Sequence, residues 1–229
     1  MTPFSCDVLL NYNVFARAGD YEKLYEGRAE PEFLLGTAYA PLREEFLTVE
    51  KRKTVDEAEN VFVSTGGADS EHLTLELIDT AMTRQSKVFH FVVGMMNPDK
   101  EMIREKAGKS HNIVIHENVQ KMAELMESCD VAISAAGSTL YELCAIGIPT
   151  LTYVIADNQI PAAREFERRG IMKNCGNIFE LGKETLAKKL IDEAIKLADN
   201  KDARIKVSKL MRSLVDGKGA DRILESVLQ

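Results

Sequence analysis

Residues 60–67 read NVFVSTGG, a short apolar run that ends in a pair of glycines. A run of this length with a glycine boundary is typical of a buried β-strand. Over residues 71–84 the apolar side chains Leu73, Leu77 and Ile78 then recur at the spacing of one helical face. The stretch therefore predicts a strand, a glycine loop and an α-helix in direct succession.

The same alternation of apolar strand and amphipathic helix continues toward the end of the chain. Further strands are predicted at 88–93, 112–115, 130–134 and 149–155, and helices at 101–107, 119–127, 138–146, 158–169, 183–198, 200–215 and 220–227. Continuous apolar strands are buried on both faces, as in a parallel sheet between two helical layers. With right-handed crossovers, the sequence predicts an α/β fold with a Rossmann-like doubly wound parallel sheet.

The first 55 residues do not follow this alternation. Residues 7–10 and 33–35 are predicted strands separated by a polar stretch, and residues 44–59 form a charged connector. Two isolated strands cannot build a core of their own. They either join the main sheet or belong to a domain whose body lies upstream.

The composition limits the classes of partner. The 229 residues are 45% hydrophobic and 28% charged, and the net charge of −7 argues against nucleic acid or an anionic membrane. No apolar run reaches the roughly 20 residues of a membrane helix, and no signal-peptide pattern is present, so a cytoplasmic location is expected. The scattered cysteines form no zinc-binding spacing with the histidines, so reduced thiols and no metal are expected. They are Cys6, Cys129, Cys144 and Cys175.

Ligands of open parallel sheets bind at the carboxyl ends of the strands, and three loops there carry suitable chemistry. In the first, Gly66 and Gly67 let the backbone approach a ligand, and the following helix offers N–H groups to a diphosphate. The alternative is a plain turn in which Asp69 or Ser70 caps the helix. The loop is neither a GxGxxG motif nor a Walker loop, which disfavours nicotinamide and ATP, and no cofactor is expected.

The second loop reads AAGSTLYE over residues 135–142. Gly137 leaves room beside the strand, and Ser138 and Thr139 begin a helix whose N–H groups face the crevice. Glu142, just inside such a pocket, suits the two hydroxyls of a ribose. Thr139 and Glu142 also have the spacing of a capping box, which is the alternative role.

The third loop carries Asn158 and Gln159, whose side-chain amides suit sugar hydroxyl or acetamido groups. The alternative is a helix capped by Asp157. Two histidines are also assigned roles. His116 follows a predicted strand and is a candidate for lining the base pocket, whereas His90 lies inside an apolar strand and is expected to be a satisfied core residue.

Four of these segments, taken in order, resemble the carboxy-terminal half of GT-B proteins. They are GGAD at 66–69, AGSTLYE at 136–142, GIP at 147–149 and DNQ at 157–159. In particular they resemble the UDP-sugar hydrolases of pseudaminic acid synthesis and the related spore coat polysaccharide proteins. LLNYN at 9–13 and LGTAYAPLREEF at 35–46 resemble that family's last amino-terminal strand and interdomain connection, so the resemblance spans nearly the whole chain.

The resemblance implies that residues 56–229 form the carboxy-terminal half of a GT-B fold that binds UDP or a UDP-sugar. Residues 1–55 would be a remnant of the amino-terminal domain with its connector. With the loops above, the candidate UDP-binding residues are Gly66, Gly67, Asp69, His116, Gly137, Ser138, Thr139 and Glu142. Tyr39 and Arg43 would lie at the domain junction, and with Asn158 and Gln159 they are the candidates for the sugar side of the cleft.

The resemblance also implies what this chain would need from elsewhere. The family's catalytic histidine lies in a glycine-rich loop of the amino-terminal half, which has no counterpart here. Turnover is therefore expected to require that half, fused or supplied as a separate chain. Two other functions stay open: a GT-B glycosyltransferase like the one that adds N-acetylglucosamine in peptidoglycan synthesis, and a non-catalytic nucleotide-sugar-binding module.

A truncated GT-B protein would leave apolar side chains without their usual partner. These include Leu224 and Val227 in the last helix, and Leu9 and Leu34 in the first strands. Exposed apolar patches are commonly covered by association, so a homo-oligomer is predicted.

Overall fold

The computed structural model describes residues 3–47 and 54–228. Its strands are β1 (Val8–Asn11), β2 (Glu32–Leu35), β3 (Asn60–Ser64), β4 (Val88–Val93), β5 (Ile113–Glu117), β6 (Val131–Ala135), β7 (Thr150–Val154) and β8 (Lys173–Asn177). Its helices are α1 (Ala18–Glu22), α2 (Leu73–Met82), α3 (Lys100–Ala107), α4 (Met122–Glu127), α5 (Thr139–Ile146), α6 (Ile160–Arg168), α7 (Ile178–Leu181), α8 (Lys183–Ala198), α9 (Lys201–Leu214) and α10 (Gly219–Val227). Short 3-10 turns lie at Thr37–Tyr39, Glu44–Phe46 and Asp157–Gln159.

The main sheet has the strand order β5-β4-β3-β6-β7-β8, and all its strand pairs are parallel. From β3 the chain moves outward to β4 and β5, then returns to place β6 on the other side of β3. This reversal makes a topological switch point between β3 and β6. The predicted α/β doubly wound sheet is confirmed.

Helices cover both faces of this sheet, as the uninterrupted apolar strands require. Successive residues of one strand point to opposite faces, so Val61 and Val63 pack under α2, α3 and α8, whereas Phe62 packs under α4, α5, α6 and α9. Cys129 and Cys144 are buried in the second core, as expected, and burial raises the pKa of the Cys144 thiol well above its usual range.

Several elements were not predicted from the sequence, among them β8, α1 and α7. Strand β8 reads KNCGN and has one buried residue, Cys175, so it lacks an apolar run. It lies at the edge of the sheet, and its pairing with β7 is irregular between Thr152 and Val154. Helix α1 is only five residues long, too short to show a helical period.

The amino-terminal strands do not join the main sheet; β1 and β2 pair in parallel with each other. Their small core forms because Tyr21 and Tyr25 cover them, with the Tyr25 and Phe33 ring centres 5.7 Å apart. Leu9 and Leu34 are therefore buried, and the expectation that they are exposed is wrong. Of the predicted connector, residues 48–53 lie outside the described residues.

This amino-terminal segment packs directly on the main domain. Val14, Ala40 and Phe46 are buried in the same core as α5. The last helix, α10, returns to the segment: Arg222 donates to the carbonyl oxygen of Ala38 at 2.9 Å. No helix among the described residues is both long and apolar enough to cross a bilayer.

Candidate functional site

The three predicted loops follow β3, β6 and β7, which are consecutive neighbours in the sheet. Ser64, the last residue of β3, is paired in register with Ser134, next to the end of β6. Because the strands are parallel, all three loops lie at one edge, beside the switch point. We call this edge the strand-end surface and define it by residues 66–69, 137–139 and 157–159.

The glycine loop touches the loop that follows β4. Gly66 has a φ of +90°, a conformation that residues with a Cβ rarely adopt. A Cβ placed on Gly94 would lie 2.1 Å from the carbonyl oxygen of Gly67, so only glycine at 94 permits this approach. Gly94 is thus a residue of the site that the sequence analysis missed, because its role depends on a neighbour 27 positions away.

The beginning of α2 is capped by the protein itself. Asp69 is buried, and its carboxylate accepts hydrogen bonds from the backbone N–H groups of Leu73 at 3.0 Å and Thr74 at 2.9 Å. Burial raises the pKa of Asp69, although these hydrogen bonds oppose the increase. The capping alternative therefore describes Asp69 well, and the first loop presents the backbone of residues 66–68 rather than the helix amides.

The beginning of α5 is different. No described residue accepts a hydrogen bond from the backbone N–H of Ser138 or Thr139. The small residues before them, Ala135 and Ala136, are buried, and Ser138 itself is exposed. Two amides without a hydrogen-bond partner among the described residues therefore lie at the positive end of the α5 dipole, beside the switch point.

Glu142 does not form the capping box. Its Oε1 accepts a hydrogen bond from Nε of Arg43 at 3.0 Å, and no described residue donates to its other oxygen. Burial raises the pKa of Glu142, and the Arg43 guanidinium opposes this. Since Arg43 lies 99 positions earlier, the pair could not be read from local spacing.

The third loop is partly used by its own turn. Oε1 of Gln159 accepts from the backbone N–H of Ile155 at 3.0 Å, whereas Asn158 is exposed. Tyr39 lies in the turn against which α10 packs, half-exposed beside Arg222. The structure thus brings Arg43 to Glu142, whereas no hydrogen bond joins Tyr39 to the described residues of the three loops.

His116 and His90 share a hydrogen bond of 3.0 Å between their rings, which are stacked with centres 5.3 Å apart. The other nitrogen of His90 is 3.0 Å from Oδ1 of Asn60, so His90 is satisfied, as expected, although only half-buried. Burial lowers the pKa of both histidines. The ring of His116 therefore packs against the sheet face rather than extending past the end of β5.

A histidine–aspartate pair lies beside the glycine loop. His72 precedes α2 with a φ of +56°, and its Nδ1 is 2.5 Å from Oδ2 of Asp99. A cavity of about 380 Å³ lies elsewhere, where β7 and β8 begin, and is lined by Thr150, Lys173 and Glu193 among others. No residue of the strand-end surface lines this cavity.

Comparison with known proteins agrees with this fold. A family model described as the glycosyltransferase family 28 C-terminal domain matches residues 36–214. The chain is 30% identical to the spore coat polysaccharide biosynthesis protein SpsG of Bacillus subtilis, over 88% of this chain and 57% of that protein. It is 27% identical to the UDP-2,4-diacetamido-2,4,6-trideoxy-β-L-altropyranose hydrolase of Campylobacter jejuni, over 73% of this chain and 60% of that protein.

The crystal structure of Acinetobacter baumannii MurG superposes with a TM-score of 0.63 at 14% identity, covering 87% of this chain and 56% of MurG. That likeness concerns the fold alone. The chain spans less than two thirds of the length of each of these proteins. It belongs to the family of glycosyltransferase family 28 C-terminal domains.

Proposed function

We propose that this chain binds UDP or a UDP-sugar at the strand-end surface. It would act as the nucleotide-binding half of a UDP-sugar hydrolase in surface polysaccharide or nonulosonic acid biosynthesis. Two sequence relatives support this by their names, a spore coat polysaccharide protein and a UDP-sugar hydrolase. The observation that carries the proposal is the pair of unbonded amides at Ser138 and Thr139, placed at the switch point.

The spacing on α5 fits a nucleoside diphosphate. Ser138 and Glu142 are four residues apart, so they lie on the same face of the helix, with a rise of about 6 Å between them. A diphosphate oxygen can accept from the Ser138 and Thr139 amides while the ribose reaches the free oxygen of Glu142. Gly67, which carries no side chain, lies across the switch point and leaves space for the phosphates.

Hydrolysis would require a base outside this surface. In the proposed reaction water attacks the anomeric carbon, the bond from that carbon to the diphosphate oxygen breaks, and UDP leaves. We assign this base, which takes the proton of the water, to an amino-terminal half that is fused or supplied as a separate chain. We place the reaction in the cytoplasm. The chain alone is then expected to bind UDP without releasing it from a UDP-sugar, which product analysis would check.

Association of two copies is part of the same proposal. In α10 the side chains of Leu224 and Val227 are 56% and 60% exposed, and Leu10 of β1 is 42% exposed. Apolar surface of this kind is commonly covered by a partner. Light scattering is expected to show a dimer or larger assembly, and a monomer at high concentration would contradict this part of the proposal.

One substitution tests the amide directly. Ser138 has φ −62°, which proline adopts without strain, and its N–H makes no hydrogen bond among the described residues. Ser138→Pro therefore removes one donor at a φ that the proline ring adopts. Calorimetric titration with UDP is expected to show about tenfold weaker binding, because a hydrogen bond to a charged oxygen is lost.

Ser138→Ala is the matched control, since it removes the hydroxyl but keeps the N–H. It is expected to bind UDP about as tightly as the wild type. Equal affinity of the proline and alanine variants would refute the proposed phosphate site. Glu142→Ala tests the ribose end in the same titration and is expected to weaken binding by a similar factor.

A further inference from the structure

Arg43 makes three contacts that fix its guanidinium group in front of α5. Nε donates to Oε1 of Glu142 at 3.0 Å, and Nη1 lies 2.9 Å from Oε1 of Glu45. The central carbon of the guanidinium is 5.0 Å from the ring centre of Phe46, which is buried. The Arg43 side chain is half-exposed, but three partners around its planar fork restrict how the guanidinium can turn.

The chain of contacts continues to α4. The second oxygen of Glu45, Oε2, accepts from the backbone N–H of Ala123 at 3.0 Å. Arg43 is therefore tied through Glu45 to the beginning of one helix and directly to Glu142 of the next. A surface ion pair contributes little by itself, but the Glu142 side chain is only 18% exposed, so its partner determines how the carboxylate is held.

The pair leaves Glu142 with one oxygen bound and one free. Arg43 occupies Oε1, and no described residue donates to Oε2. Without the guanidinium, Glu142 would face Glu45 without a cation between the two carboxylates, and like charges repel. The free oxygen would then lose its fixed position on the face of α5 that also carries Ser138.

We propose that Arg43 is a positioning residue: it holds the Glu142 carboxylate so that the free oxygen accepts from a ribose hydroxyl, and thereby sets a preference for ribonucleotides over 2′-deoxyribonucleotides. This inference rests on the proposed binding of UDP. It assigns to the connector a role in nucleotide selection, although no atom of Arg43 need touch the nucleotide.

The test compares UDP with 2′-deoxy-UDP on the full chain by calorimetric titration. The wild type is expected to prefer UDP by about tenfold, as for the loss of one hydrogen bond to a charged group. Arg43→Ala is expected to reduce the preference to about twofold or less, mainly by weakening UDP binding. Arg84→Ala is the matched control: Arg84 bonds Asp192 at 3.0 Å far from the strand-end surface, and its loss leaves the preference unchanged.

The outcomes separate the inference from the function beneath it. If Arg43→Ala keeps the wild-type preference, or weakens both nucleotides by the same factor, Arg43 does not position Glu142 and the inference is overturned. If the wild type binds neither nucleotide, the proposed function itself is overturned. A ratio that collapses in Arg43→Ala and Glu142→Ala alike, with no further change in the double variant, supports the inference.

Discussion

Replacement of Gly94 by alanine tests the contact between the two loops beside the switch point. The added methyl group would lie 2.1 Å from the carbonyl oxygen of Gly67 and 2.6 Å from its carbonyl carbon and Cα. All three atoms belong to the backbone, so no side chain can rotate away. The glycine loop must retreat by about 1.3 Å or more to reach an ordinary contact distance.

Two magnitudes follow from that displacement. Overpacking at a closely packed site costs about 1–3 kcal/mol of the free energy of unfolding. In a chain of this size, each kcal/mol corresponds to a loss of about 2–4 °C in the melting temperature. If the glycine loop forms one wall of the phosphate site, its retreat is also expected to weaken UDP binding by about tenfold.

Gly67→Ala is the matched control for stability, because it adds the same methyl group to the other partner of the same contact. No atom lies within 4 Å of a Cβ placed on Gly67, and its φ is not positive, so alanine fits. Urea denaturation of both variants gives the comparison. A Gly94→Ala protein as stable as Gly67→Ala would refute the close approach of the two loops.

Three further predictions concern stability. Tyr141→Phe removes the hydroxyl that accepts from the buried N–H of Val14 at 3.0 Å, and urea denaturation should show a loss of about 1–3 kcal/mol, with faster hydrogen exchange at that amide. Arg168 and Arg169 hold the pKa of Glu165 down at about 2, so stability is full above pH 4.5 and about 1–2 kcal/mol is lost as the pH falls toward 2; Glu165→Gln should lack this acid dependence. Burial lowers the pKa of His90 below 6.5, so its contribution is complete above pH 6.5 and declines below it, and unfolding midpoints on both sides of that pH should differ less in His90→Gln.

The main sheet could be predicted because each buried strand carries its own signal. The apolar run that opens residues 60–67 forms the strand Asn60–Ser64, and the predicted strand 88–93 agrees with Val88–Val93. Residues buried on both faces must be apolar wherever they fall, so the pattern is local. Strand β8 could not be predicted in this way, because an edge strand can form by backbone pairing with one neighbour. Its sequence, KNCGN, pairs with β7 without an apolar run.

The candidate site was predictable as a set of loops but not as a set of bonds. Small residues and glycines mark the ends of β3 and β6, and parallel topology brings them together. What each side chain does there depends on partners far along the chain. Arg43 bonds the Glu142 carboxylate, which local spacing assigned to a capping box, and the approach of Gly94 to Gly67 leaves no sequence signature.

The first turn of α2 shows a local competition that spacing alone did not settle. The helix was predicted from 71, and it begins at Leu73. Asp69 bonds the first helical amides from four and five residues upstream, which leaves His72 in a left-handed conformation just before the helix. Capping by a distant aspartate satisfies the same donors that a phosphate would, so the sequence supports either use.

The residues Tyr141 and Glu142 are adjacent in α5, and each is bonded to a different part of the amino-terminal segment: Tyr141 to Val14, and Glu142 to Arg43. Neighbouring residues project from a helix about 100° apart, so the two attachments lie on different sides of its axis. A helix that is attached at two such points cannot rotate about either attachment without breaking the other. If the protein changes shape around a bound nucleotide, we therefore expect α5 and the amino-terminal segment to move together as one rigid unit. The hinge of such a movement would lie elsewhere in the chain.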